Sequence, residues 1–375
     1  MSGLDWCNSD PPVPALPTLF LVKAPATSDQ TLRADLVFRS HHDIIDGMGT
    51  LLLFDKLFAA AAEEYEQPGS ALPEFGDEWT NLSPPLRVAA DIPAALTPER
   101  EEHMLEILAH NSQLKKSIEI ASIPFQQHIA LPGKHQRVAI TVPANTTAKL
   151  LEKCRSLGLS VTHAYHAAIA LAVGDLQDRK KTERTVRYIN YSLINERHHC
   201  KAPYSTSAHP ASVYHSVSGK SLAIDLTVPA LGAPKKTVIG QQTFLRVAKH
   251  VRDYYIDIRD NQEHIKLVQA YWAMGTLPYP DSEPPVILPR NETPSASISS
   301  IGVLDKVIQH NYGRFSVDHP WITGEELGTG LGVFLDTWKG ILTLSSAYND
   351  AWHAKEEVLD VLNWCNDVVV RGLGI

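Results

Sequence analysis

The sequence has little cysteine, no long apolar run and no cluster of positive charge, and each shortage excludes something. Its four cysteines, Cys7, Cys154, Cys200 and Cys365, are scattered without paired spacing. A disulfide scaffold is thereby excluded, and free thiols in a reducing compartment are expected. No stretch approaches the ~20 apolar residues of a membrane span. Met1 to Asp10 lacks the basic-then-apolar order of a secretion signal, so a cytoplasmic location is expected. The 34 basic and 42 acidic residues give a net charge of -8. Without clustered Lys and Arg, neither nucleic acid nor an acidic membrane surface is an expected partner. Internal repeats and low-complexity tracts are also missing.

What is present suits a folded protein of moderate size. The 375 residues are 44% hydrophobic and 20% charged, ordinary values for a globular chain long enough for two domains. Pro11, Pro12, Pro14 and Pro17 make the opening stiff and extended. Strands are expected over Thr18 to Lys23 and Leu32 to Ser40, the second from its alternation of Leu32, Ala34, Leu36 and Phe38 with polar or opposite-facing residues. After Gly47 the period changes. Leu51, Phe54, Leu57, Phe58 and Ala61 share one helical face. Residues 66–98 read as a connecting loop, and Pro98 to Lys116 as a polar helix with Thr97 at its N-cap.

A new unit opens near Gln136, with a strand through Val138, Ile140 and Val142. Helices follow at Asn145 to Ser156 and Thr162 to Leu176, the second Ala-rich and expected to be buried with His163 and His166 as structural residues. Val186 to Leu193 reads as a strand, Gln241 to Asp260 and Glu263 to Met274 as helices. Ser297 to Val303, Gly330 to Asp336 and Gly340 to Ala347 read as strands, and Ala354 to Val369 as a closing amphipathic helix. Gly328 to Gly332 lacks the lysine of a phosphate loop and is expected to be mobile. Trp272, Trp321, Trp338, Trp352 and Trp364 are expected in the core or a pocket wall.

The chemistry lies in the strand-to-helix turn His41-His42-Asp43-Ile44-Ile45-Asp46-Gly47. A histidine near neutral pKa is a natural general base, and a strand before it fixes its position. His42 is the expected base, Asp46 a brace for the turn, and Gly47 and Gly49 the residues that permit the bend. His198-His199-Cys200 invites a metal reading, with His209 and His215 following. Adjacent ligands on an extended segment point to opposite sides, so no metal site is expected.

The seven-residue motif resembles the signature of the superfamily that holds chloramphenicol acetyltransferase, peptide-synthetase condensation domains and plant and fungal alcohol acyltransferases. Further segments are similar to that pattern: the turn Gly158-Leu159-Ser160-Val161-Thr162, Asn195-Glu196-Arg197, Ser299-Ser300-Ile301-Gly302, and Tyr348-Asn349-Asp350. The resemblance covers about residues 18–375, and within the superfamily it points to fungal trichothecene-type O-acetyltransferases. It implies an α/β fold, a two-lobe sandwich of the chloramphenicol acetyltransferase-like type. The N-terminal lobe would be residues 1–133, shortened because only forty residues precede His41, and the C-terminal lobe 134–375.

The resemblance also assigns roles. His42 becomes the catalytic base in a channel between the lobes, and Asp46 a structural residue paired with an arginine. Arg197 is the candidate partner, the alternative being a surface residue. Ser300 and His41 become candidate contacts to the oxyanion or the substrate, the alternative for Ser300 being a strand serine facing solvent. The implied reaction moves an acyl group from a thioester, acetyl-CoA foremost, to a hydroxyl of a hydrophobic small molecule in secondary metabolism. No cofactor is bound in that reading; acyl-CoA is a co-substrate. Lys235, Lys236 and Arg246 are dispersed candidates for its phosphates. The plant enzymes' Asp-Phe-Gly-Trp-Gly motif is missing, and a shortened lobe encloses less of a pantetheine arm. A cofactor-free cyclase or isomerase using His42 on a polyketide- or terpenoid-like substrate therefore stays open as the alternative. A scaffold without chemistry has no physical need for the intact His42, Asp46 and Gly47. Oligomeric state is not encoded in any pattern of the sequence.

Overall fold

The computed structural model describes residues 1–23, 32–69, 74–233, 239–275 and 290–375. It opens with a short helix that the hydrophobic pattern does not announce, α1 (Gly3–Asn8), started by a reciprocal capping box between Ser2 and Asp5. Strands β1 (Thr18–Lys23) and β2 (Ala34–Arg39) follow as an antiparallel pair. Both faces of β2 are covered. The Gly3 amide donates to Asp35 Oδ2 at 2.6 Å, and Phe38 meets Phe54 edge-on at 6.4 Å. Val37, expected on the side opposite Leu36 and Phe38, is consequently the buried residue of the strand.

Helices α2 (Gly47–Glu66), α3 (Leu86–Ala89) and α4 (Pro98–Leu114) come next. Neither α2 nor α3 has a core of its own. Leu51 and Ala62 of α2 cluster with Leu304, Ile308, Tyr312 and Trp338. Leu86 and Ala89 of α3 cluster with Cys200, Tyr214, Ile265 and Val268. Hydrophobic packing thus joins residues on both sides of position 133.

The remaining elements follow, and most of them build the largest core. These are β3 (Glu119–Ile120), β4 (His135–Val142), α5 (Ala144–Ser156), α6 (Val161–Asp175), β5 (Arg184–Asn190), β6 (Leu193–Asn195), β7 (His215–Val217) and β8 (Leu222–Val228). Then come α7 (Gln241–Asp260), α8 (His264–Gly275), β9 (Ala296–Val303), β10 (Asn311–Tyr312), β11 (Phe315–Ser316), β12 (Leu331–Trp338), β13 (Ile341–Asn349) and α9 (Lys355–Leu373). A four-stranded sheet runs β4-β13-β12-β9, antiparallel except for the parallel β12–β9 pair. A three-stranded sheet runs β3-β5-β8. Helix α6 packs on α7, α9 and strands of both sheets, and it is buried continuously from Ala164 to Val173. That all-round burial is why its sequence shows no amphipathic stripe.

Three expectations change. Residues 66–98, expected to be a connecting loop, hold the helix α3 (Leu86–Ala89). The strand read over Val186 to Leu193 is two strands, because the chain leaves the three-stranded sheet at Tyr191 and pairs β6 with β7. The loop Gly328 to Gly332, expected to be mobile, is tied down. Thr329 is fully buried, its hydroxyl donates to the Asn291 carbonyl at 2.6 Å, and its own carbonyl lies 2.9 Å from His353 Nε2. Among the described residues no single helix is long and apolar enough to cross a membrane.

Candidate functional site

Four elements converge where β2 ends. The His41–Gly47 turn hands the chain to α2, with Asp46 as the N-cap whose Oδ1 accepts from the Gly49 amide at 2.7 Å. Arg197 lies in a 3-10 turn (Arg197–His199) after β6, His215 begins β7, and Ser300 sits on β9. The pairing of Asn195 with His215 across β6 and β7 holds the second and third of these together.

Asp46 and Arg197 form the buried centre. Arg197 Nη1 donates to Asp46 Oδ2 and Nη2 to Oδ1, both at 2.9 Å. The Tyr214 amide donates to Oδ2 at 2.8 Å. Arg197 Nη2 also reaches Ser212 Oγ at 3.1 Å, and the guanidinium stands 5.5 Å over the Tyr214 ring. A buried carboxylate with four donors and a planar counter-charge is fully satisfied.

Glycine is demanded at 49 rather than 47. A Cβ at Gly49 would run into the Pro210 carbonyl and stand 3.1 Å from Arg197 Nη2. At Gly47 it would meet Ile301 Cδ1 at 3.6 Å and Ile322 Cδ1 at 3.8 Å, both ordinary contacts. The turn itself leaves room at Gly47; it is the close approach of Arg197 and the Pro210 backbone that crowds Gly49.

His42 is held by one hydrogen bond, its Nδ1 lying 3.2 Å from the Ile45 carbonyl. A carbonyl only accepts, so Nδ1 carries the proton and Nε2 keeps a lone pair. The ring lines a cavity of about 320 Å³, together with Thr162, Ile194, His215, Ile298 and Ser300. That volume suits a small molecule. Ser300 Oγ lies 2.8 Å from Thr162 Oγ1 on this wall, two hydroxyls able to donate to a developing oxyanion. His41 is exposed and does not line the cavity; its carbonyl accepts from the Ile44 amide at 3.2 Å and closes the turn.

One cavity residue has no local signature in the sequence. The His215 ring centroid is 5.1 Å from that of His42, and its edge-to-face partner is Trp272 at 5.4 Å. Burial, then the nearby His42, pushes the His215 pKa down to about 4, so it is neutral at pH 7. Its neutrality keeps a second positive charge away from the candidate base. His163 reciprocally caps α6 with Ser160, and burial pushes it down to about 4 as well. His166 is fully buried beside the Tyr255 hydroxyl at 3.1 Å. Arg246 stands exposed on α7, away from the cavity wall, while Lys235 and Lys236 lie outside the described residues.

His198 and His199 are not extended. They lie within the 3-10 turn, with Cys200 extended after it, and the two imidazole centroids lie 4.0 Å apart. With roughly three residues per turn, adjacent side chains sit about 120° apart rather than opposed. The argument from extended geometry against shared ligation therefore does not hold here.

No protein-family model matches the chain. Two curated relatives are similar over nearly its whole length. The O-acetyltransferase pigM of Monascus ruber is 24% identical over 367 residues, covering 96% of this chain and 64% of pigM. The acetyltransferase pigO of the same organism is 23% identical over 385 residues, covering 100% of this chain and 75% of pigO. The chain thus spans less than two thirds of pigM. Among solved structures, TRI3 trichothecene 15-O-acetyltransferase from Fusarium sporotrichioides matches with a TM-score of 0.71 at 18% identity, over 95% of this chain and 70% of TRI3. The first condensation domain of the CDA synthetase matches with a TM-score of 0.58 at 10% identity, over 96% of this chain and 68% of that domain. The fold is that of TRI3 and of the condensation domain, as the motif implied, and both of these sequence relatives are named acetyltransferases.

Proposed function

We propose that the chain transfers an acyl group from a thioester, acetyl-CoA foremost, to a hydroxyl of a hydrophobic small molecule, with His42 as general base. The observation that carries this reading is the tautomer of His42: Nδ1 is spent on the Ile45 carbonyl, and the ring lines the cavity with Nε2 free to accept. In the proposed step Nε2 takes the hydroxyl proton as the oxygen attacks the thioester carbon. The oxyanion accepts a hydrogen bond from the Ser300 or Thr162 hydroxyl. The thiolate then leaves and takes the proton from the imidazolium. Arg197 and Asp46 touch no reacting atom in this scheme; they hold the turn. Apolar side chains such as Met48, Ile194, Ile298 and Ile301 line the same cavity and suit a hydrophobic acceptor.

One observation favours the second reading, a cofactor-free cyclisation steered by His42. Arg197 is the one arginine or lysine on the cavity wall among the described residues, and Asp46 occupies it. Among the described residues the wall therefore offers the phosphates of coenzyme A no free lysine or arginine. Calorimetry with coenzyme A and acetyl-CoA separates the two readings. Micromolar binding with transfer of labelled acetyl to an alcohol supports the transferase. Failure of both ligands to bind, beside tight binding of a polycyclic product, supports the cyclase.

A further inference from the structure

Three side chains beside Arg197 take no part in the proposed acyl transfer. Glu196, His198 and His199 line a second cavity of about 310 Å³, whose wall shares His163, Leu193, Ile194, Asn195 and Tyr255 with the first. One ligand atom from each of the three lies within 4.8 Å of the others.

The carboxylate is the unusual member. Glu196 is fully buried. Its Oε1 accepts from Ser216 Oγ and stands 3.3 Å from His264 Nε2. Its Oε2 has no hydrogen-bond partner among the described residues, and His199 Nε2 is 3.8 Å away. A buried carboxylate oxygen without a donor is costly, and such oxygens in native proteins are compensated by a donor, a water or an ion.

The imidazoles are arranged to supply the rest. His198 Nδ1 lies 2.9 Å from the Asn195 carbonyl, so it carries the proton and leaves Nε2 with its lone pair. Imidazoles that bind metals are commonly oriented through such a hydrogen bond to a backbone carbonyl. His199 stacks beside it, with centroids 4.0 Å apart.

We propose that Glu196 Oε2, His198 Nε2 and a ring nitrogen of His199 bind one divalent transition-metal cation of the Zn²⁺ class. Two imidazoles and a carboxylate suit Zn²⁺ better than Mg²⁺ or Ca²⁺, which prefer all-oxygen shells. The cation neutralises the free carboxylate oxygen. It also cross-links the turn from which Arg197 clamps Asp46. Its role is structural: it holds the wall shared by the two cavities.

The test uses the full chain, stripped by chelation and titrated with ZnCl₂ by calorimetry, with thermal melting in parallel. The comparison is a His198→Ala/His199→Ala variant, which keeps the Glu196 contacts to Ser216 and His264. Wild type is expected to bind one Zn²⁺ per chain and to melt higher with it. The variant is expected to bind at least about tenfold more weakly and to lose the melting shift. If the double variant does not fold, His198→Ala alone, whose ring is exposed, carries the comparison with the same expected direction. Equal Zn²⁺ binding and melting shift in wild type and variant, or no Zn²⁺ binding by wild type, overturns the proposal.

Discussion

Arg197 and Asp46 meet through two parallel hydrogen bonds of 2.9 Å, although 151 residues separate them in sequence. Both are buried, so removing one partner strands the other's charge. Arg197→Met or Asp46→Ala is expected to destabilise the chain by about 3–5 kcal/mol, read from urea unfolding. The double variant Arg197→Met/Asp46→Ala should lose much less than the sum of the two singles. Additive losses would mean that the pair is not coupled.

The glycines of the motif make opposite predictions. Gly49→Ala drives a methyl group into the Pro210 carbonyl and toward Arg197, and should cost about 1–3 kcal/mol. Gly47→Ala meets only ordinary contacts at 3.6 Å and beyond, and should change stability by less than about 1 kcal/mol. Equal melting temperatures for the two variants would contradict this assignment.

Acid should weaken the fold through its buried histidines. Burial holds His163 and His215 down at about 4 and His166 at about 3, against ~6.5 in an unfolded chain. Between those values the unfolded chain binds protons that the folded one refuses. Their contribution is therefore fully present above ~6.5 and is lost as pH falls toward 4. Asp336 works the other way. Burial pushes it up to about 6, with Arg137 opposing, so its contribution is present below ~3.9 and is lost as pH rises through 6. Burial also lowers His135, His319 and His353 and raises Asp175 and Glu326, so the lowered histidines outnumber the raised carboxyls, and melting temperature should fall between neutral pH and about pH 5. Asp336→Asn should make that fall steeper; a melting temperature that rises on acidification would reverse the sign.

Hydrophobic period carried much of the fold. Helix α7 (Gln241–Asp260) and strand β1 (Thr18–Lys23) have the bounds that their patterns imply. Helix α1 was hidden, although Ser2 and Asp5 hold its capping signal, because six residues are too few for a period. The two-residue strands β3, β10 and β11 exist only through their partners, so nothing local marks them. The same distinction holds at the site. His42 and Asp46 stand in one turn with a recognisable pattern, whereas His215 reaches the cavity only because β6 and β7 pair. No local pattern marks the turn that holds His198 and His199; it comes with the long-range contacts of Arg197 to Asp46 and of Glu196 to Ser216.

In the proposed transfer His42 Nε2 takes a proton from the acceptor hydroxyl. The direct measurement is steady-state turnover of His42→Ala with acetyl-CoA and an alcohol that wild type acetylates, on protein whose melting temperature matches wild type. Its kcat is expected to be lower by about a hundredfold or more, the usual worth of a general base, with acetyl-CoA affinity little changed. Undiminished kcat in that folded variant would contradict it.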